Sequence, residues 1–151
     1  MPDSHKVRQV EAIANGTVID HIPSAATMIV VSMLANDDDE VFIGQNLRSA
    51  RVGRKGVVKI AGRELSDREA SSLALIAPGA SLSIIRDYKV VAKHVVPVPE
   101  VFEDVARCAN PNCVTNHEQW PTKFEVVGQQ PLRVRCRYCE RGFAPGELEP
   151  T

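Results

Sequence analysis

The chain has 151 residues, of which 44% are hydrophobic and 25% are charged, with a formal net charge of −1 at pH 7. This composition is typical of globular proteins and argues against a disordered chain. No run of apolar residues is long enough to predict a membrane span, and the near-neutral charge argues against a protein that binds polyanions through its overall charge. Because residues 1–6 contain no apolar signal segment, we expect a cytoplasmic protein.

The part of the chain before Val98 alternates strand-like and helix-like patterns. Two helices are predicted in it, an apolar one over residues 24–35 and one that begins at Ser66 and ends before Pro78. Ser66 and Glu69 form a capping box, which is typical of a helix start. Short apolar or alternating runs predict β-strands at residues 7–13, 18–22, 40–47, 55–61, 80–85 and 89–95. This order predicts an α+β fold, a ferredoxin-like sandwich with both helices on one face of the sheet.

A proline-containing segment separates this part from the rest of the chain. Pro97 and Pro99 disfavour regular sheet and helix, so we expect an N-terminal domain of residues 1–98 and a C-terminal domain of residues 99–151. A short helix is predicted over residues 100–106. The second domain is so small that a metal ion must replace part of its hydrophobic core.

The cysteines of the chain all lie in its last third, as Cys108-x4-Cys113 and Cys136-x2-Cys139. Each close pair can bend around one ion, and together the pairs can form a tetrahedral four-thiolate site in a small antiparallel β domain. In a reducing compartment such cysteines bind metal more often than they form disulfides, which remain the alternative. The ion would be structural, so any other function must lie elsewhere in the chain.

Strict alternation of side chains along a strand assigns each of two lysines, Lys59 and Lys93, to one face of the predicted sheet. Lys59 lies opposite Val58, and Lys93 lies on the face that carries Lys89 but not Val90. The simplest interpretation is that both lysines are solvated residues of a half-exposed sheet. The alternative is a phosphate clamp, because each ammonium group offers a charge and three donors. Spacing alone does not decide between the two.

Asp20 and His21 form a pair that suggests acid–base chemistry. Neighbours on a strand point to opposite faces, so a surface carboxylate beside a hydrogen-bonded histidine is the alternative. The sequence contains no glycine-rich phosphate loop and no nucleophile motif, and the cysteines are assigned to metal. A binding protein is therefore favoured over an enzyme.

Arginines surround the second cysteine pair, which encloses Tyr138. They are Arg133, Arg135, Arg137 and Arg141. An aromatic ring among arginines can stack on a base and hold its phosphates, so a zinc-ribbon protein that binds nucleic acid is an alternative function. The region is acidic in total, and the arginines serve equally well as a solvated strand face or as contacts to an acidic partner protein.

Several runs of residues, in order, resemble the regulatory chain of aspartate carbamoyltransferase. The runs are VEAI at 10–13, GTVIDHIP at 16–23, GRK at 53–55 leading to KI at 59–60, YKVVAK at 88–93 and CRYCE at 136–140. The run at 16–23 is long and uncommon enough to be specific, whereas the cysteine spacing alone is not. The resemblance extends from about residue 7 to residue 143.

The resemblance implies a non-catalytic regulatory subunit for pyrimidine biosynthesis. In this family the N-terminal domain binds CTP, which inhibits, and ATP, which activates, at one allosteric site. The C-terminal domain holds one structural Zn²⁺ and docks onto the separate catalytic chain. Regulatory chains pair as homodimers, and three dimers link two catalytic trimers. UTP is a further candidate ligand, and the sequence leaves the effect of each nucleotide open.

The resemblance also assigns site residues. The nucleotide-binding positions of the family fall on Val10, Glu11, Ala12, Ile13, Asp20, His21, Lys59, Ser83, Tyr88, Val90 and Lys93. Residues 10–13 are expected at the base and ribose, and Asp20 towards the ribose. Tyr88 and Val90 are expected around the base, Tyr88 through its backbone because its side chain faces away from Lys93. Lys59 is expected at the ribose and base. His21 and Lys93 are expected at the phosphates.

Two residues depart from the family pattern. The family often has asparagine where Ser83 stands, and an acidic residue where Arg86 stands. A hydroxyl reaches less far than a side-chain amide. The resemblance therefore leaves open how strongly this chain distinguishes CTP from ATP.

Overall fold

A computed structural model describes residues 12–50 and 53–151. The described strands are β1 Gly16–Pro23, β2 Val41–Ser49, β3 Gly53–Ala61, β4 Ser81–Arg86, β5 Lys89–Val95, β6 Val101–Glu103, β7 Ala106–Arg107, β8 Lys123–Gln129, β9 Leu132–Cys136, β10 Gly142–Phe143 and β11 Glu149–Pro150. The helices are α1 Thr27–Leu34, α2 Asp67–Ile76 and α3 Val114–His117, with 3₁₀ turns at Ser24–Ala26 and Pro145–Glu147. The predicted strand at residues 7–13 lies mostly outside the described residues.

Residues 16–95 contain the strands of a five-stranded antiparallel sheet in the order β2-β3-β1-β4-β5. One face of this sheet is buried, and it carries Ile19, Val58 and Leu82 from three adjacent strands. Helix α1 lies on that face, where it contacts β3. Gly56 of β3 allows this approach, because a Cβ atom there would collide with the side chain of Thr27.

Helix α2 begins at the predicted capping box. The Ser66 hydroxyl accepts a hydrogen bond from the Glu69 backbone N–H at 3.2 Å, and the Ser66 N–H donates to the Glu69 carboxylate at 3.0 Å. These reciprocal bonds satisfy backbone donors that a helix start otherwise leaves unpaired. The helix then buries Leu73, Ala74 and Leu75. The capping box expected from the sequence is confirmed.

The chain divides into two compact units. The first contains the described residues up to Glu64 together with Ala80–Val95, and the second contains Leu65–Gly79 and Val96–Thr151. Helix α2 therefore belongs to the second unit. Its Arg68 donates from Nη2 to the backbone oxygen of Asp104 at 2.8 Å, and its Nη1 lies 3.3 Å from the Asp104 carboxylate.

The second unit contains a four-stranded antiparallel sheet in the order β10-β9-β8-β6 and a two-stranded sheet of β11 and β7. Phe102, Phe124 and Val134 are buried between its strands and loops. The rings of Phe124 and Phe143 meet edge to face with centroids 6.4 Å apart. This small aromatic cluster lies close in sequence to the cysteines.

The helix predicted over residues 100–106 is wrong, since this segment forms β6 and β7. Val101 and Phe102 favour strands, and Phe102 pairs with Phe124 of β8. Asp104 has a positive φ of 54°, which no helix accommodates. Tertiary pairing therefore decides the structure of this short segment.

The predicted fold class is confirmed. The fold is α+β with antiparallel sheets and two helices in the N-terminal half, followed by a small β region that carries the cysteines. Over residues 12–50 and 53–151, no helix is long and apolar enough to cross a membrane.

Candidate functional site

A row of paired residues crosses the sheet on the face opposite the buried core. Val18 of β1 pairs with Lys59 of β3 on one side and with Ser83 of β4 on the other, and Ser83 pairs with Lys93 of β5. Directly paired residues point to the same face, so these side chains share a face. The Cα atoms of the two lysines are about 14 Å apart, at three strand spacings. We call Val18, Lys59, Ser83 and Lys93 the lysine row.

A bulge in β5 brings Val90 to the face of the lysine row. Val91 is an extra residue, inserted between the partners of two consecutive β4 residues. Val90 therefore shares a face with Lys93, and Lys89 lies on the opposite face. The sequence-based assignment, which grouped Lys89 with Lys93 and placed Val90 opposite, is wrong because alternation does not survive a bulge.

A second bulge, in β1, turns Asp20 and His21 towards the same face. It lies between Ile19 and Ile22, and His21 adopts a left-handed conformation with φ 59°. His21 Nδ1 is 2.9 Å from the Ser81 hydroxyl, and Ser81 also pairs with Asp20. The expectation that these neighbours point to opposite faces is therefore wrong. Their direct link is a bond of 2.6 Å from the His21 backbone N–H to the Asp20 carboxylate.

Lys55 joins this end of the site, and the sequence-based assignment did not include it. Its ammonium lies 2.8 Å from the Asp20 carboxylate. Burial raises the pKa of Asp20, but hydrogen bonds from Lys55 and the His21 backbone outweigh this effect and hold the pKa below its ordinary value. Asp20 is therefore ionised at neutral pH. The signal that would have found Lys55 is its position four residues before Lys59 on the same strand face.

Along the strands, the side of the lysine row away from Asp20 and His21 is apolar. Ile13 is buried, and Val90 is exposed. The two-residue turn between β4 and β5 has positive φ at Asp87 and Tyr88, and the Tyr88 N–H donates to the Ala14 oxygen at 2.9 Å. This bond places the turn beside the segment that contains Ala12 and Ile13. The Tyr88 side chain is 71% exposed, so its ring is available to a ligand.

The predicted nucleotide positions that lie in strands share one sheet face, and the turn with Tyr88 lies beside the segment that ends at Ala14. The strand positions are Asp20, His21, Lys59, Ser83, Val90 and Lys93. An apolar zone, the lysine row and a zone with Asp20 and His21 follow one another along the strands. Val10 and Glu11 lie outside the described residues. Such a face offers apolar and aromatic contacts at one end and cationic donors towards the other, which suits a ligand that is part base and part phosphate.

The sulfur atoms of Cys108, Cys113, Cys136 and Cys139 form a separate cluster. All lie within 4.8 Å of one another. The distance from Cys108 Sγ to Cys139 Sγ is 3.7 Å, and that from Cys113 Sγ to Cys136 Sγ is 3.8 Å. A tetrahedral Zn²⁺ with bonds of about 2.3 Å to sulfur separates its ligands by about 3.8 Å, whereas a disulfide requires about 2.05 Å. The cluster fits a metal ion and contains no disulfide.

Side-chain amides shape the first cysteine pair. Asn116 donates from Nδ2 to the backbone oxygens of Cys108, at 3.0 Å, and Asn110, at 2.8 Å. The Asn110 side-chain oxygen accepts from the Asn112 N–H at 3.0 Å. These hydrogen bonds hold the loop between Cys108 and α3 in a tight bend. The bend places the sulfurs of Cys108 and Cys113 close to those of Cys136 and Cys139.

Burial raises the pKa of the Cys108 and Cys136 thiols. The pKa of Cys139 is instead lowered to about 7. Burial acts to raise this pKa, but hydrogen bonds from the Arg141 backbone and the Asn110 side chain outweigh the effect of burial. Thiols with raised pKa values carry protons at neutral pH when no metal is bound. Because a metal ion binds thiolates, its binding must release these protons.

Two of the arginines around the second cysteine pair are engaged within the protein. Arg135 Nη2 lies 3.1 Å from one oxygen of Glu125, and Arg137 Nε donates to the other oxygen at 2.9 Å. The ring of Tyr138 packs against Trp120 with centroids 5.9 Å apart. These contacts weaken the alternative in which the arginines and Tyr138 form a nucleic-acid interface, since Glu125 offsets the charge of two of the arginines.

Known families match both halves of the chain. Residues 8–97 match the allosteric domain of the aspartate carbamoyltransferase regulatory chain, and residues 100–149 match the metal-binding domain of that chain. The regulatory chain of Pyrococcus abyssi is 48% identical over 144 residues, which is 93% of this chain and 95% of the relative. The regulatory chain of Phocaeicola vulgatus is 43% identical over 143 residues, which is 93% and 92% of the two chains.

Proposed function

Because the chain belongs to the family of aspartate carbamoyltransferase regulatory chains, we propose that it is the nucleotide sensor of that enzyme in the cytoplasm. It is a non-catalytic regulatory subunit, since its family is described, and its relatives are named, as the regulatory chain of the enzyme. Its partner is the catalytic chain. The proposal concerns which ligands it senses, where they bind and how their binding reaches the partner.

CTP and ATP compete for one site on the open face of the five-stranded sheet. The alignment of Lys59, Ser83 and Lys93 in one row carries this assignment. The base occupies the apolar zone beside Ile13 and Tyr88, and the ribose lies near Asp20 and Lys59. The phosphates extend to His21 and Lys93. Val10 and Glu11 complete the base contacts, and UTP is a further ligand of the same class.

The two nucleotides act by binding the low-activity and high-activity assemblies with different affinities. CTP favours the compact assembly of low activity, and ATP favours the expanded one. Coupling free energies of this kind are about 1–3 kcal/mol. The boundary between residues 1–98 and residues 99–151 acts as the hinge, which is supported by the gap between the two family matches at 98–99.

The metal domain docks onto the catalytic chain, and regulatory homodimers link catalytic trimers, three dimers to two trimers. Support comes from the match to the metal-binding domain of the family and from the fit of the sulfur cluster to a tetrahedral ion. When bound, Zn²⁺ would fix the fold around Cys108, Cys113, Cys136 and Cys139 and would take no part in a reaction. The catalytic chain supplies the chemistry.

Replacing Lys93 tests the nucleotide site, and Lys89 provides a matched control on the opposite face of the same strand. Lys93→Ala should weaken both CTP and ATP, because one charge-assisted contact is worth about 1.5–3 kcal/mol, or roughly 10- to 100-fold in affinity. Lys89→Ala should change neither affinity by more than about twofold. Titration calorimetry with the full chain measures both. Unchanged affinities in Lys93→Ala, or equal losses in the two variants, would show that the site lies elsewhere.

A further inference from the structure

The hydroxyl of Thr115 points at one of the metal-binding sulfurs. Thr115 lies in α3, two residues after Cys113, and is only 5% exposed. Its Oγ1 donates a hydrogen bond to Cys113 Sγ at 3.2 Å. Nothing in the metal-ligand pattern of the sequence requires a hydroxyl at this position.

Packing alone does not account for a threonine at position 115. A valine has the same shape and carries no polar group that must be desolvated, whereas a buried hydroxyl is costly unless it is hydrogen-bonded. Here the partner of the hydroxyl is a sulfur atom rather than a backbone oxygen. The hydroxyl is therefore placed where it affects the ligand atom itself.

A four-thiolate zinc centre carries excess negative charge on its sulfur atoms, which a hydroxyl donor can stabilise. Four thiolates around one Zn²⁺ carry a net charge of about −2. Cys113 is 1% exposed and Cys136 is fully buried, so water does little to stabilise this charge. Donors that point at the sulfurs disperse the charge and fix the direction of each ligand, and outer partners of this kind typically change metal affinity by about 10- to 100-fold.

We propose that Thr115 is a positioning residue of the metal centre, whose hydroxyl holds the Cys113 thiolate in place and tightens Zn²⁺ binding. It does not contact the metal. The proposal depends on the sulfur cluster and is independent of the nucleotide site.

Thr122 provides a matched control, because it is a second buried threonine of the same unit whose hydroxyl donates to the Ala106 backbone oxygen at 2.5 Å. Zn²⁺ affinity is measured on the full chain by competition with a chromophoric chelator. Thr115→Val should bind Zn²⁺ about 10- to 100-fold more weakly. Thr115→Ser should stay near the parent affinity, since it keeps the hydroxyl. Thr122→Val should lose clearly less affinity than Thr115→Val.

A spectroscopic measurement separates an effect on the sulfur from a loss of fold stability. With Co²⁺ in place of Zn²⁺, the thiolate-to-metal charge-transfer band should move to lower energy in Thr115→Val, because the sulfur lone pairs lose their stabilising donor. The band should not move in Thr115→Ser or Thr122→Val. If Thr115→Val does not fold, Thr115→Ser and Thr115→Ala give the same comparison with one oxygen changed. Equal affinity losses in both valine variants with an unmoved band would overturn the proposal.

Discussion

Asp20 shows how one side chain can serve both the fold and the site. Its carboxylate accepts a hydrogen bond from the His21 backbone N–H within the β1 bulge and forms an ion pair with Lys55. The hydrogen bond to Asp20 holds the backbone of His21, which has a left-handed φ of 59°. A ligand that reaches Asp20 therefore contacts a group that already holds the local backbone.

The lowered pKa of Asp20 predicts a pH dependence of stability. A carboxyl group whose pKa is lower in the folded state stabilises the protein above its unfolded pKa, near 3.9, and this contribution is lost as the pH falls through the folded value. Asp20→Asn should therefore lower the free energy of unfolding at pH 6, and the difference from the parent should shrink below about pH 4. Urea titrations over a pH series measure it.

The exposed loop residue Asp38 supplies the comparison for this pH series. Asp38→Asn should remain close to the parent at each pH, because no ion pair of the described residues involves its carboxylate. A difference between Asp20→Asn and the parent that stays constant from pH 6 to below pH 4 would contradict a role for the ionised carboxylate.

At the scale of the elements, α1 approaches β3 so closely that one position must be glycine. A Cβ atom on Gly56 would overlap the side chain of Thr27, which is fully buried and donates its hydroxyl to the Ser24 oxygen at 2.8 Å. Because Thr27 is held by this bond and by burial, it cannot rotate away. The contact fixes how α1 lies on the buried sheet face.

Gly56→Ala should therefore lower the free energy of unfolding by about 1–3 kcal/mol, the usual cost of overpacking. Urea titration measures the change. Gly146→Ala is the control, since no neighbouring atom lies near its added Cβ. Combining Gly56→Ala with Thr27→Ala should recover part of the loss as a favourable coupling energy. Strictly additive losses would show that the two positions do not compete for space.

The helices and strands were largely predictable from the sequence. The sheet face to which each strand residue points was not. Alternation and capping located β1, β3 and α2, because these patterns are local. The two bulges, at Val91 and at Asp20–His21, depend on pairing between strands distant in sequence. The same holds for the strands that replaced the predicted helix at residues 100–106. The resemblance named Lys59 and Lys93, but only the register places them in one row.

At the scale of the whole molecule, a small β region depends on its metal ion. The region over residues 99–151 has only about 50 residues, and its largest fully buried side chains are Phe102, Phe124 and Val134. A core of this size gives little stability without a bound ion. In the proposed docking of this domain onto the catalytic chain, the metal controls the docking surface through folding.

Removing the metal should dissociate the assembly. The chain is co-expressed with its catalytic chain, and the complex is sized by chromatography with light scattering before and after treatment with excess chelator. We expect release of free catalytic trimers, because the metal domain unfolds. Adding Zn²⁺ back should restore the large complex. An intact complex from which metal analysis shows the zinc to be gone would refute docking through this domain.

Strand β5 carries Lys93 and lies at the edge of the five-stranded sheet, with all seven of its residues exposed. Among the described strands only β4 pairs with it, so its amide protons are expected to exchange with solvent through small local openings. A nucleotide bound to Lys93 would stabilise this weakly protected strand. The local openings of β5 would then become rarer. The slowing of amide exchange along β5 would therefore report occupancy of the site directly from the backbone, without any measurement of enzyme activity.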